Sequence, residues 1–169
     1  MANDIKEVAQ EAIKLELNGR YLFEQAFQTT KNELGKKMFR KLAEDEMGHL
    51  KKFEQLFSLI ISKDQWQELI RQGETQKSNL IEEIKAGLKK QETTSDIEAL
   101  RIGMELERKS ITLFTRYAEE TEDPNAKKVF NNIAEEEKYH YGLLQAQYDQ
   151  VTQSGYWFDI AEFKMDAKY

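Results

Sequence analysis

The chain repeats itself. Displaced by 91 residues, Lys37-Met38-Phe39-Arg40-Lys41-Leu42-Ala43-Glu44-Asp45-Glu46-Met47-Gly48-His49 falls on Lys128-Val129-Phe130-Asn131-Asn132-Ile133-Ala134-Glu135-Glu136-Glu137-Lys138-Tyr139-His140. The same displacement carries Leu15-Glu16 onto Leu106-Glu107 and Leu22-Phe23 onto Leu113-Phe114. One offset that holds across two separate helical stretches marks a duplicated unit, not a chance match of helical periods. Each half is expected to be a helical hairpin, and two such hairpins must pack on one another to bury their apolar faces.

Helical periodicity runs over about 4–30, 33–61, 95–121 and 124–153. The only proline, Pro124, does not interrupt them: it follows Asp123 in the order of an N-cap and a first helical residue. Thr30-x-x-Glu33 and Ser95-x-x-Glu98 have capping-box spacing. The apolar run Phe57-Ser58-Leu59-Ile60-Ile61 continues the stripe of the second helix and is read as helical. Residues 62–94 are too many for a tight turn and are expected to cross the bundle, with short helices at Ser62–Trp66 and Asn79–Ile84. The expected fold is all-α: a four-helix bundle of two hairpins, 4–61 and 95–153, joined by a crossover, in one domain spanning 1–169. The aromatic stretch from Gly155 to Phe163 belongs to a tail, 154–169, that packs over the bundle or against a second copy.

Charge and composition narrow the functional classes. With 25 basic and 31 acidic side chains the net charge is −6, which argues against general binding to nucleic acid or anionic membranes. Lys36-Lys37 and Lys89-Lys90 read as solvated faces. The absence of cysteine excludes disulfides, thiol catalysis, cysteine zinc sites and iron–sulfur clusters on this chain. The sequence has no run of eighteen apolar residues, and its first residues lack the basic-then-apolar layout of a signal peptide, so a cytoplasmic location is the expectation.

The chemistry lies in the seams. The inward stripe of the second helix is Phe39, Leu42, Glu46, His49, Phe53, Leu56, Ile60, and that of the fourth is Phe130, Ile133, Glu137, His140, Leu144, Gln147, Val151. Both place Glu-x-x-His at core positions, one turn apart on one face, and these are the only two histidines of the chain. The first and third helices supply single seam carboxylates, Glu16 and Glu107, flanked by the small residues Ala12, Gly19, Gly103 and Ser110, which leave room beside them. Four buried carboxylates without counter-charge cost several kcal/mol each. Two divalent cations balance them, and with two imidazoles the oxygen-rich donor set suits iron or manganese, with zinc as a further substitute. The candidate metal ligands are Glu16, Glu46, His49, Glu107, Glu137 and His140. Asp45 and Glu136 fall outside the seam and read as exposed, as do Glu11, Glu44, Glu105 and Glu135.

With Glu16, Glu46-x-x-His49, Glu107 and Glu137-x-x-His140 in this order, the chain resembles the rubrerythrin family of ferritin-like di-iron carboxylate proteins over about residues 5–153. The resemblance implies two irons bridged by Glu46 and Glu137, with Glu16 and His49 completing one site and Glu107 and His140 the other. It implies reduction of hydrogen peroxide or dioxygen with electrons from an external, rubredoxin-like donor protein, by a homodimer. Two departures stand out. Ser110 occupies the place of a further glutamate that the family ties to redox-linked iron movement, and the cysteine-bearing relay module of typical members has no counterpart here. Tyr21, Tyr117 and Tyr139 could approach the metals as proton or electron donors, but Phe23 and Phe114 occupy places where the family often has tyrosine, so no single tyrosine is assigned a catalytic role beyond the metal ligands. Two other readings follow from the same residues: a ferroxidase, iron-storage or metal-buffering protein, and a metal-free helical interaction protein.

Overall fold

The computed structural model describes residues 5–88 and 95–163. Six α-helices account for most of them: α1 Ile5–Thr29, α2 Glu33–Phe57, α3 Lys63–Glu74, α4 Asn79–Gly87, α5 Ser95–Glu120 and α6 Pro124–Ser154. The loops between α1 and α2 and between α5 and α6 are three residues each, so each pair folds back on itself. The two hairpins meet through α1 against α5 and α2 against α6, and the crossover helices α3 and α4 lie over α1 and α5. This is the bundle of two hairpins joined by a crossover that the repeat called for, and the ferritin-like arrangement that the resemblance implies. Lys89-Lys90 and the ends of the crossover and of the tail lie outside the described residues.

Three of the helix starts have a visible cause. The Asp123 side chain accepts from the Asn125 N–H ahead of Pro124, as the sequence indicated. Ser62 and Gln65 form a reciprocal capping box that opens α3. The cap of α2 is not Thr30. Asn32 takes that place, its Oδ1 accepting from the N–H groups of Leu34 at 2.9 Å and Gly35 at 3.2 Å, because it lies two residues closer and directly precedes Glu33, the first helical residue. Thr30 is buried instead and donates its hydroxyl to Asp96 at 3.0 Å, tying the first hairpin to the second. Ser95 is the first residue of α5, not its cap, and the residue before it lies outside the described ones.

The second helix is shorter than its apolar stripe. It ends at Phe57, where the Ser58 hydroxyl donates to the Gln55 carbonyl and the N–H groups of Ile60 and Ile61 both turn back to the Phe57 carbonyl. The chain must bend here to present Ser62 as the cap of α3. Ile61 swings under the bundle at 6% exposure, while Leu59 and Ile60 are left at 95% and 59%. Ile60 therefore leaves the seam.

Apolar packing divides into two clusters. One gathers the first half of α1, the second half of α2, the end of α5 and the start of α6, and the other takes the complementary halves together with α4. On all four long helices the interval between them is occupied by the same group of polar side chains, a buried belt across the middle of the bundle. Two buried amides hold the outer segments to the bundle. Asn18 donates to the Lys14 and Gln76 carbonyls and accepts from Leu80 N–H, anchoring the crossover. Gln147 exchanges two hydrogen bonds with the backbone of Phe158, and Trp157 packs edge-on against Phe39, so the tail does lie over the bundle. No helix among the described residues is long and apolar enough to cross a membrane.

Candidate metal centre

The belt contains all six side chains singled out in the seams. Glu16 of α1, Glu46 and His49 of α2, Glu107 of α5, and Glu137 and His140 of α6 are each at most 2% exposed. Their donor atoms fall into two groups, each within 4.8 Å: Glu16, Glu46, His49 and Glu137 in one, Glu46, Glu107, Glu137 and His140 in the other. Glu46 and Glu137 belong to both. Every group draws on both hairpins, so neither half of the repeat can assemble one alone.

Both imidazoles turn Nδ1 inward. His49 Nδ1 lies 3.2 Å from Glu16 Oε2 and 2.8 Å from Glu137 Oε1. His140 Nδ1 lies 3.4 Å from both Glu46 Oε1 and Glu107 Oε1, and 3.6 Å from Glu137 Oε1. The two rings stand nearly parallel, 5.8 Å between centroids. Small residues allow this approach, but not by leaving space. A β-carbon on Gly19 would sit 3.0 Å from Glu46 Oε2, so that room is filled by the carboxylate itself. At Gly103 it would meet Phe23 and Leu144 at 3.1 and 3.2 Å, which makes that glycine a packing residue and not the edge of a void. The Ser110 hydroxyl donates to the Leu106 carbonyl at 3.1 Å and is not aimed at the cluster.

The outward face of each histidine corrects the reading of Asp45 and Glu136 as mere surface charge. His49 Nε2 is 2.5 Å from Glu136 Oε2, and His140 Nε2 is 3.0 Å from Asp45 Oδ2. Their side chains are 45% and 27% exposed, so each spans the boundary between core and solvent. The pairing is reciprocal: α6 supplies the carboxylate for the α2 histidine, and α2 supplies it for the α6 histidine. Lys52 binds the free oxygen of Glu136 at 2.9 Å, and Lys41 that of Asp45 at 2.5 Å. A signal for both residues was present in the sequence, because the 91-residue displacement also carries Asp45 onto Glu136, each four residues before its histidine. The other acids behave as expected: Glu44, Glu105 and Glu135 pair with Arg40, Arg108 and Lys138 on the surface.

Electrostatically the belt is out of balance. Burial, together with repulsion from Glu46 and Glu137, pushes the Glu16 carboxyl well above the ordinary range, and burial with the same two neighbours does so for Glu107. Burial alone would depress His49, but attraction to Glu16, the bond to Glu136 and the nearby Glu137 carboxylate hold it far above the usual imidazole range. His140 is raised against its burial by Glu107, Asp45 and Glu46. Glu136 is drawn down to about 2, chiefly by its bond to His49. Even so, Glu16 Oε1, Glu46 Oε1, Glu107 Oε2, both oxygens of Glu137 and His140 Nδ1 are buried with no hydrogen-bond partner. Buried polar atoms are almost always satisfied. Six unpartnered donor atoms, carried by residues of two close four-residue groups, fit cations of the kind that carboxylates and imidazoles bind.

A family model described as rubrerythrin matches residues 7–148. The chain belongs to the rubrerythrin family. Searches of curated proteins and of solved structures returned no match. The match spans both hairpins and every residue of the belt, and the family is one of di-iron proteins with oxidoreductase-type activity. The buried glutamate and histidine groups that could hold metal lie within the matched span.

Proposed function

We propose that this chain is a di-iron oxidoreductase that reduces hydrogen peroxide or dioxygen with electrons from a separate donor protein. The observation that carries the reading is the pair of buried donor groups sharing Glu46 and Glu137, which contain buried polar atoms without hydrogen-bond partners. In this reading Glu16 and His49 complete one iron site, Glu107 and His140 the other, and Glu46 and Glu137 serve both. Two irons held side by side supply one electron each toward cleavage of an O–O bond. The surrounding residues set the conditions. The two apolar clusters exclude bulk water from both ends of the belt. Asp45 and Glu136 each accept a proton bond from Nε2, which fixes ring orientation and leaves Nδ1 as the inward donor. Anaerobic loading with Fe(II) followed by stopped-flow mixing with peroxide tests the reading: the expected result is oxidation faster than that of free Fe(II), and equal rates contradict it.

Asp45→Ala and Glu136→Ala are expected to weaken metal binding by roughly 10–100-fold. The loss should be selective. Asp45 orients His140 and so affects the group with Glu107, whereas Glu136 orients His49 and affects the group with Glu16. Calorimetric titration with Co(II), which reports the two sites by their absorption as well, checks this; equal loss at both sites from either variant counts against it.

Metal binding should also strengthen as pH rises. Both histidines hold their protons above the ordinary range in the metal-free chain, and Glu16 and Glu107 are raised too. A cation must displace the Nδ1 proton of each imidazole, so every proton released adds about tenfold in affinity per pH unit. Titration in buffers of different ionisation enthalpy measures that release directly, and an affinity flat across the neutral range would oppose the assignment.

A ferroxidase or metal-buffering role is favoured by one observation, the Ser110 hydroxyl bonded back to Leu106 where a further carboxylate is absent. Sustained turnover of peroxide with an added rubredoxin-like reductant supports the oxidoreductase, and a single round of oxidation supports the buffer.

A further inference from the structure

Beyond the polar belt, toward the α5–α6 loop, the core turns aromatic. Phe53 stands one turn past His49 on α2, Phe114 one turn past Ser110 on α5, and Phe130 two turns before Glu137 on α6. Their ring centroids are 5.2 Å apart for Phe53 and Phe114, 5.8 Å for Phe53 and Phe130, and 6.3 Å for Phe114 and Phe130. Tyr117 ends this column, 5.6 Å from Phe130, with the Arg116 guanidinium over its ring at 5.4 Å. It is 4% exposed, yet its hydroxyl donates in a short bond to Oε2 of Glu11, an exposed residue of α1.

That combination is more than a tyrosine finding a partner for its polar tip. A phenol gives up an electron readily only when its proton leaves at the same time, and this requires an acceptor already at hydrogen-bond distance. Burial and the bond to Glu11 keep the Tyr117 phenol protonated well above its ordinary range, so loss of an electron here must be accompanied by proton transfer. Glu11 supplies the acceptor and, being at the surface, a path onward to solvent. Ten residues of α5 separate Glu107 from Tyr117, about 15 Å along the helix axis, a span that electrons cross through packed protein. The places nearer the belt hold Phe23 and Phe114, which are far harder to oxidise.

We propose that Tyr117 is a redox-active residue coupled to the metal centre through the Phe53–Phe114–Phe130 cluster, with Glu11 as its proton acceptor. The inference rests on the di-iron reading. Hydrogen peroxide takes two electrons and two protons to become two waters. The two ferrous electrons satisfy a first peroxide, so a second peroxide reaching the oxidised centre must draw its two electrons from elsewhere and its two protons from solvent. With no donor protein bound, one of those electrons comes from Tyr117, and the phenolic proton passes to Glu11 Oε2. A neutral tyrosyl radical and a carboxylic acid remain. A one-electron reductant at the surface then restores the phenol, the proton returning from Glu11, and a second passage through Tyr117 completes the reduction. Tyr117 in this role drains oxidising equivalents from a buried site to a place where a soluble reductant can reach them.

The test uses the full chain loaded with iron, mixed with several equivalents of peroxide per iron pair without reductant, freeze-quenched and read by electron paramagnetic resonance. Iron oxidation is followed in the same samples by absorbance. A radical whose hyperfine pattern collapses when the chain carries ring-deuterated tyrosine is expected, lost to background in Tyr117→Phe and several-fold weaker in Glu11→Gln, with iron oxidation unchanged in both. Tyr117→Phe keeps the packed ring, and Glu11→Gln changes an exposed side chain, so both variants should fold. Iron oxidised without a radical, a signal that survives Tyr117→Phe, or a tryptophan radical at Trp66 (which joins the same cluster through Phe57) overturns this inference and leaves the di-iron reading standing. Failure of the chain to bind or oxidise iron overturns both.

Discussion

Glu137→Ala is expected to abolish both metal equivalents at once, while Glu16→Ala removes only one. The difference follows from sharing: Glu137 lies in both donor groups, and both of its oxygens are orphaned, whereas Glu16 lies in one. Glu46→Ala should behave like Glu137→Ala, and Glu107→Ala like Glu16→Ala. Metal content after anaerobic loading and desalting gives the stoichiometry. Removal of a glutamate that merely neighbours the ions would weaken binding gradually and without this pattern. A Glu137→Ala chain that still holds a full complement contradicts the shared role.

The second large effect reverses sign with metal. Glu107→Leu should stabilise the metal-free chain by about 1–4 kcal/mol, since an apolar group of similar volume replaces a buried carboxyl group with an unpartnered oxygen. Four carboxyl groups there face two imidazoles, and burial with repulsion from Glu137 and Glu46 pushes the Glu107 carboxyl well above its ordinary range. The same variant should lose much of the stabilisation that bound metal gives the parent chain, about 4 kcal/mol at free metal a thousandfold above Kd. Thermal melts with and without Co(II) read both signs in one experiment. Destabilisation of the metal-free variant would mean that Glu107 supports the fold on its own account. Such a trade of stability for a cation site is what a buried belt of like charges in the middle of a bundle represents.

Much of this was legible in the sequence because duplication and periodicity reinforce one another. Glu46, His49, Glu137 and His140 sit at matching seam positions in two halves, and a chain with only two histidines leaves little freedom in pairing them. The four long helices, the short helices of the crossover and the capping of α6 followed from local chemistry. What was not legible depends on the direction of a side chain across the bundle. Periodicity assigns a residue to a face of its own helix, and by that measure Asp45 and Glu136 point away from the seam. Only the packing of α2 against α6 shows that the edge of the seam still reaches the far side of the opposite histidine. Ile60 illustrates the converse, because apolarity carried the stripe onward while the requirement to enter the crossover ended the helix at Phe57. Gly103 was read as room for a ligand and proved to be room for Phe23 and Leu144, a distinction that depends on which partner lies opposite. The bond from Tyr117 to Glu11 spans 106 residues, and no local pattern announces it.

The most direct measurement is the metal content of the purified full chain after anaerobic incubation with Fe(II) and removal of loose ions. Two irons per chain are expected, falling to none in Glu137→Ala. A chain that retains no iron, or retains it equally in that variant, would establish the belt as a buried polar network without metal, and a helical interaction protein would then be the better description.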